Sequence, residues 1–352
     1  MTALPPGSTI GILGGGQLGR MMAVAAAQLG YHVHVFAPER DSVAAEVAAK
    51  FTCASWHDSG ALIEFARDCD VITYEFENVP VAPLAALPQE QLAPSPRALE
   101  MAQDRVREKR FIEEAGGRPA PFAVIDHDSE LTDAIDRIGV PGILKTRRDG
   151  YDGKGQWKIA DRQEVYRARV PQSGCVYEAR IDFECEFSVI LVRNRAGEVR
   201  FWDSTRNRHV HGVLAHSELP APEIVLQQVA KARELAQMAA IALNYVGVLT
   251  LEFFATASGP VFNEMAPRVH NSGHWTIEGA VTSQFENHVR AICNLPLGDT
   301  SSVYDKVVMD NLLGSEALNL AGHLADGRAH VHLYGKAEAR EGRKMGHITR
   351  VG

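Results

Sequence analysis

Thr9 to Leu13 is a short apolar run that leads directly into Gly14, Gly15, Gly16 and Gly19 and then into an Ala- and Met-rich stretch, Met21 to Leu29. A strand, a tight turn and a helix in that order commit the N-terminal region to an α/β unit. Tyr31 to Phe36 alternates as a second strand, and Val71 to Phe76 reads as another, buried one ending in Glu75 and Glu77. A parallel α/β domain to about residue 100 is expected. Gly14, Gly16 and Gly19 also match G-x-G-x-x-G, and Glu39 lies 20 residues beyond Gly19, as a dinucleotide site requires. Glycines let the backbone approach a phosphate, and the helix N-terminus presents unpaired N–H groups. Those properties serve any phosphate-bearing ligand, and a tight turn that only packs helix on strand needs the same residues.

Pro83, Pro88, Pro94 and Pro96 crowd a connection before a helix around Asp104 to Ala115. Strand and helix signals then alternate: Phe122 to Ile125, Glu130 to Ile138, Gly142 to Thr146, Gln156 to Ala160, a helix from Arg162, and Cys175 to Ala179. This predicts a small α+β unit interrupted by a glycine-rich loop. From Glu223 to about Leu243, apolar Val225, Val229, Ala232, Ala236, Ala239 and Leu243 step by three and four, which gives a helix with one buried face. The last fifty residues carry short strand-like runs, Val307 to Met309 and His330 to Tyr334, and end in a basic cluster.

Val248 to Phe254 and Pro260 to Met265 flank Ala257, Ser258 and Gly259 as a hairpin, and pairing it about Ser258 sets Glu252 opposite Glu264. Cβ atoms of such a pair lie roughly 4.5 to 5.5 Å apart, where like charges repel. A divalent cation between them reverses that sign, and carboxylates plus substrate phosphates are the oxygen ligands Mg²⁺ takes in phosphoryl-transfer sites. A solvated pair of edge carboxylates is the plainer alternative. Alternation points Asn263 to the other face, unless a bulge brings it round.

Asp149 to Gly155 reads Asp-Gly-Tyr-Asp-Gly-Lys-Gly and follows Lys145 at the end of an apolar strand. Glycines expose N–H groups to phosphate oxygens and the lysines add charge, although no Gly-Lys-Ser/Thr of a Walker A sequence follows. Met265 to Thr276 concentrates Arg268, His270, Asn271, Ser272, His274 and Trp275 beside a Pro and a Gly, the density of a binding loop. The histidines lack H-E-x-x-H spacing, so a zinc protease is not supported. Gly342 to His347, with Arg343 and Lys344, is a solvated basic tail unless it folds back as a phosphate clamp.

Composition narrows the partners. The 352 residues are 45% hydrophobic and 23% charged with a net charge of -8, which fits a folded multidomain protein and offers no basic tract for nucleic acid. Apolar runs fall far short of about 20 residues, so no membrane partner and a cytoplasmic location are expected. Cys53, Cys69, Cys175, Cys185 and Cys293 are scattered and never in C-x-x-C spacing, which argues against disulfides or a thiolate metal site.

The blocks Gly16-Gln17-Leu18-Gly19-Arg20-Met21, Gly150 to Gln156, Asn263 to Thr276 and Gly342 to His347 together resemble the signatures of the 5-(carboxyamino)imidazole ribonucleotide synthase family, in the same order over nearly the whole chain. The resemblance implies the ATP-grasp fold: a Rossmann-like pre-ATP-grasp domain (1–103), an ATP-grasp domain (104–298) with a lid at about 119–182, and a C-terminal β-rich piece (299–352). It implies a homodimer that uses ATP and Mg²⁺, for which Mn²⁺ could substitute, to carboxylate 5-aminoimidazole ribonucleotide with bicarbonate through carboxyphosphate. By matching positions it assigns nucleotide contacts to Arg105, Lys145, Gly150, Tyr151, Asp152, Gly153, Lys154, Gly155, Gln156, Glu178, Ala179, Arg180, Ile181, Glu186, His209, Asn263 and Glu264. Glu178 would meet the adenine edge and Glu186 the ribose. Glu252 and Glu264 would hold the metal, while Asp152, Arg268, His270 and Lys344 would serve the chemistry. Gln17, Leu18, Asn271, Ser272, Arg343 and Lys344 would hold the ribonucleotide. Within the resemblance the glycine turn belongs to the ribonucleotide site. A formate-dependent ATP-grasp transferase is the near alternative, with a non-catalytic nucleotide sensor and a nicotinamide-dependent oxidoreductase further off.

Overall fold

The computed structural model describes residues 2–150, 155–167 and 170–352. Its first sheet is parallel, in the order β3-β2-β1-β4, from β1 (Thr9–Leu13), β2 (His32–Ala37), β3 (Lys50–Cys53) and β4 (Val71–Tyr74). The helix after the glycine turn runs Gln17–Gln28, four residues earlier than the Ala- and Met-rich stretch suggests, and buries Leu18, Met22, Ala23, Ala25 and Ala26. Asp104 caps the helix Arg105–Glu114 by accepting from the N–H groups of Val106 and Arg107. That helix leads into a second, antiparallel sheet, β5-β8-β6-β7, built from β5 (Phe122–Ile125), β6 (Gly142–Thr146), β7 (Gln156–Ile159) and β8 (Cys175–Ala179). The helix Asp128–Ile138 lays Leu131, Ala134 and Ile135 on this sheet. The helix expected from Arg162 is a 3-10 turn, Arg162–Arg167.

The third sheet has nine strands: β9 (Cys185–Arg193), β10 (Val199–Phe201), β11 (Arg206–Val210), β12 (Val213–Leu219), β13 (Gly247–Thr256), β14 (Gly259–Ala266), β15 (Val307–Leu313), β16 (Ala329–Leu333) and β17 (Lys344–Val351). Its order is β14-β13-β9-β11-β12-β15-β17-β16, with β10 beside β9. The C-terminal strands therefore continue the central sheet through the β12–β15 pairing. This carries the basic cluster back over the middle of the molecule, since its last part is strand β17. The helix Glu223–Ala242 covers one face of the sheet with Val225, Ala232, Ala236 and Ala239, as its periodicity predicts, while Val229 is only partly buried.

His288, on the helix Gln284–Ile292, joins the first and third sheets. Its Nδ1 accepts the Val248 N–H at 3.1 Å, and its Nε2 lies 2.8 Å from the Thr73 hydroxyl. Burial pushes its pKa down to about 4, so it sits there as neutral imidazole. No helix among the described residues is long and apolar enough to cross a membrane.

Candidate active site

The hairpin reaches the expected pairing by a different route. Thr256 pairs with Gly259, so the turn is Ala257 and Ser258 alone, and straight continuation would set Asn263 opposite Glu252. A bulge after Glu252 leaves Asn263 as the extra residue and restores Glu264 to the position facing Glu252. Glu252 is buried, whereas 46% of the Glu264 side chain is exposed. Burial is the main cause that raises the Glu252 pKa; Glu264 and Glu186 add to it, and His209 and Lys344 oppose. Burial alone would lower the pKa of His209, 2.6 Å from Glu186, but Glu186, Glu252 and Glu264 carry it up to about 9. This is a strongly acidic locus that favours cations.

Glu264 opens from it onto a cleft of about 760 Å³ that draws together segments far apart in sequence. Gln17 and Leu18 line it from the N-terminal turn, Arg105, Gly150 and Glu264 from the middle, Arg268, His270 and Asn271 from the loop after β14, and Arg343 and Lys344 from the C-terminus. Lys336 and Arg340 line it too. Those two cations escaped the sequence reading, although both lie in the basic stretch just before Gly342.

Arg268 donates from Nε to Glu77 and from a terminal nitrogen to the Val269 carbonyl at 3.1 Å, so its guanidinium is clamped from the N-terminal domain. Glu77 is thus a supporting residue that the sequence marked only as a strand-end acid. The His270 Nδ1 accepts the Ser272 N–H at 3.3 Å, and its Nε2 points toward Glu252 at 3.4 Å. Burial, with Arg268, Lys344 and His209 adding to it, holds the His270 pKa well below the ordinary range. A neutral ring that accepts at Nδ1 carries its proton on Nε2, facing the carboxylate. Ser272, expected to face substrate, is fully buried instead: its hydroxyl bonds that of Ser188 at 2.9 Å and lies 2.8 Å from His270, so it props the ring from behind. Asn271 and Asn311 exchange amide hydrogen bonds of 3.0 and 2.8 Å.

On the second sheet, Lys145 donates to Glu178 at 2.9 Å, and Lys109 meets the other carboxylate oxygen at 3.2 Å. Burial favours a protonated Glu178, but Lys145, Lys109 and Arg105 outweigh it and bring its pKa to about 2. Its side chain is held between these lysines, and the backbone from Ala179 through Arg180 to Ile181 leads from β8 toward the central sheet. Arg105 spans the two groups, 4.0 Å from Glu264 and 3.4 Å from the Gly150 carbonyl. Gly155 sits at φ +69 with its carbonyl accepting from Thr146, and Gln156 pairs with Lys145. Tyr151, Asp152, Gly153 and Lys154 lie outside the described residues.

The N-terminal turn differs from a dinucleotide site. Glu75 accepts the N–H of Gly16 at 2.8 Å and of Gly19 at 3.2 Å, so the chain's own carboxylate occupies donors that a pyrophosphate would need. Gly14 adopts φ +114, and a Cβ there would stand 2.5 Å from the Glu75 side chain. The glycines make room for that carboxylate.

Comparison with known proteins agrees with this architecture. Residues 7–103 match the ribonucleotide synthetase preATP-grasp domain, 110–285 the ATP-grasp domain, and 307–352 the phosphoribosylaminoimidazole carboxylase C-terminal domain. The N5-carboxyaminoimidazole ribonucleotide synthase of Brucella melitensis is 47% identical over 99% of this chain and 98% of its own. The crystal structure of N5-carboxyaminoimidazole ribonucleotide synthetase from Thermus thermophilus superposes with a TM-score of 0.87 at 44% identity, covering 97% of this chain and 93% of that one. An Aspergillus clavatus N5-carboxyaminoimidazole synthase, in complex with ADP and 5-aminoimidazole ribonucleotide, gives a TM-score of 0.88 at 27% identity, covering 98% of this chain and 94% of its own. With three consecutive domains and a full-length relative in agreement, the chain belongs to the N5-carboxyaminoimidazole ribonucleotide synthase family of ATP-grasp proteins.

Proposed function

We propose that this chain catalyses the ATP-dependent carboxylation of 5-aminoimidazole ribonucleotide with bicarbonate, releasing N5-carboxyaminoimidazole ribonucleotide, ADP and phosphate. The observation that carries the reading is the single cleft in which the acidic hairpin, the Arg268 to Asn271 loop and the C-terminal cations meet. Among the described residues no group of three or more His, Cys, Asp or Glu side chains could hold a metal by itself. Glu252 and Glu264 instead suit a cation shared with phosphate oxygens, which is the Mg²⁺ mode, and bound there it would neutralise charge on the transferring phosphate.

Arg105, 4.0 Å from Glu264, and Lys145, on the second sheet, supply charge to the phosphates of a nucleotide without a covalent step. Arg268, fixed by Glu77, holds bicarbonate and then its phosphorylated form in the cleft. His270 directs Nε2–H toward Glu252, which suits a hydrogen-bonding role better than removal of a proton from the amine. Arg343 and Lys344, which line the cleft together with Gln17 and Leu18, bind the ribonucleotide phosphate. Asp152 and Lys154, expected from the sequence to serve the phosphates, lie outside the described residues.

ADP release measured with bicarbonate or formate, each with 5-aminoimidazole ribonucleotide or glycinamide ribonucleotide, tests the reading. The bicarbonate and aminoimidazole pair should give the fastest, Mg²⁺-dependent release. Preference for formate and glycinamide ribonucleotide would place the chain with the formate-dependent transferases.

A further inference from the structure

Glu178 is a buried carboxylate shared by two buried ammonium groups, and only one of them belongs to the nucleotide kit proposed above. Lys145 donates to Oε2 at 2.9 Å, and Lys109 reaches Oε1 at 3.2 Å. Lys109 is 1% exposed and projects from the helix Arg105–Glu114, whose first residue reaches toward Glu264. Its ammonium also lies over the Phe122 ring at 5.9 Å, so packing as well as charge holds it. Among the described residues Oε1 receives no hydrogen bond, and Lys109 is the cation that faces it.

A carboxylate this close to Lys145 competes with any phosphate for the same ammonium. If Lys145 were the sole counter-charge of Glu178, its turning toward a phosphate would leave a buried anion uncompensated. A second cation on the far oxygen removes that conflict. We propose that Lys109 is a positioning residue for nucleotide binding: it neutralises Glu178 from the side opposite Lys145, so that the charge of Lys145 remains available to ATP phosphate. Lys109 itself touches no phosphate. The inference rests on the proposed role of Lys145 as a phosphate ligand.

The test is steady-state kinetics on the full chain with ATP and 5-aminoimidazole ribonucleotide varied in turn, for Lys109→Met, Lys145→Met, Glu178→Gln and the double variant Lys109→Met/Glu178→Gln. Lys109→Met should raise the KM for ATP about tenfold or more, with a much smaller change in kcat or in the KM for the ribonucleotide. In the double variant, in which Lys145 no longer faces an uncompensated carboxylate, the KM for ATP should lie within about threefold of that of Glu178→Gln alone, so that the effect of Lys109→Met disappears. A purely structural lysine would give loss of folded protein, or a defect spread over both substrates, and no such rescue. An unchanged KM for ATP in Lys109→Met overturns the proposal, and so does a defect that Glu178→Gln leaves in place. Should Lys109→Met fail to fold, a soluble double variant whose KM for ATP is about tenfold above that of Glu178→Gln overturns it equally. Lys145→Met separates the two levels: if it too leaves ATP use unchanged, the nucleotide reading itself fails, whereas a defect in Lys145→Met with none in Lys109→Met removes Lys109 alone.

Discussion

In the N-terminal glycine turn a carboxylate meets backbone donors that the turn itself creates, whereas in the β13–β14 hairpin two carboxylates meet each other. Glu75 fills the turn and accepts from Gly16 and Gly19. Glu252 and Glu264 lie opposite one another, with His270 3.4 Å from the first and Arg105 4.0 Å from the second. The turn's donors are therefore filled by the chain's own carboxylate, whereas the hairpin sets two carboxylates face to face. Both looked like ligand sites in the sequence. What separates them is that the turn's N–H donors already hold Glu75, whereas the hairpin keeps two carboxylates opposed with partial compensation from His209 and Arg105, and that difference decides how much of a motif's polarity remains for a ligand.

The largest expected effect is at the hairpin. Glu264→Gln should lower turnover on the order of a hundredfold or more, because a ligand to a charge-neutralising cation is lost. The thermal midpoint should hold or rise slightly, since the substitution also relieves repulsion with Glu252. A variant that keeps both its rate and its Mg²⁺ dependence would make the pair a solvated edge and erase the contrast with the turn.

Next in size is the link between the two regions. His288 is kept neutral, with a pKa of about 4 against an ordinary 6.5, between Val248 on the hairpin strand and Thr73 two residues before Glu75. The unfolded chain takes up that proton first as pH falls, so the stabilisation is fully present above about pH 6.5 and is lost toward pH 4, on the order of 3 kcal/mol. Urea unfolding at pH 7 and pH 4.5 should show a smaller acid loss in His288→Gln than in the parent. Equal losses would mean that this histidine does not set the acid sensitivity of the junction.

Lys344→Ala should raise the KM for 5-aminoimidazole ribonucleotide about ten- to a hundredfold and change kcat far less, as expected for one charge-assisted contact to a group outside the chemistry. Initial rates with each substrate varied decide it. A shift confined to the KM for ATP would move the ribonucleotide phosphate away from the C-terminal strand. The smallest effect belongs to the turn: Glu75→Gln puts an amide N–H₂ against one of two backbone donors and should cost about 1 to 3 kcal/mol of stability by denaturant titration. Unchanged stability would mean that the turn's donors need no internal partner.

These contrasts also show what a single chain of letters can reveal. The acidic pair is readable because strand alternation has period two and the hairpin is local. Even so, the correct partner emerges only because two departures cancel, a turn one residue shorter than expected and a bulge at Asn263. The filling of the turn by Glu75 is hidden, since Glu75 and Gly16 are 59 residues apart and meet only through the parallel pairing of β1 with β4. Strand β17 is masked by the basic run at its start and by buried His347 and Thr349, whose inward placement comes from packing rather than from apolar alternation. Lys109 is hidden in the sequence because a lysine on a polar helix ordinarily faces water. The support behind His270, from Ser272 to Ser188, joins strands and loops with no local pattern to announce it.

The central claim, ATP-driven carboxylation through a phosphorylated bicarbonate, is tested most directly by isotope transfer. With ¹⁸O-bicarbonate, 5-aminoimidazole ribonucleotide and Mg-ATP, the bicarbonate oxygen that attacks the γ-phosphorus leaves with phosphate when the carboxyl group passes to the amine. Mass spectrometry of the released phosphate should therefore find one ¹⁸O per ADP formed; phosphate without ¹⁸O, its fourth oxygen drawn from water, would contradict the account.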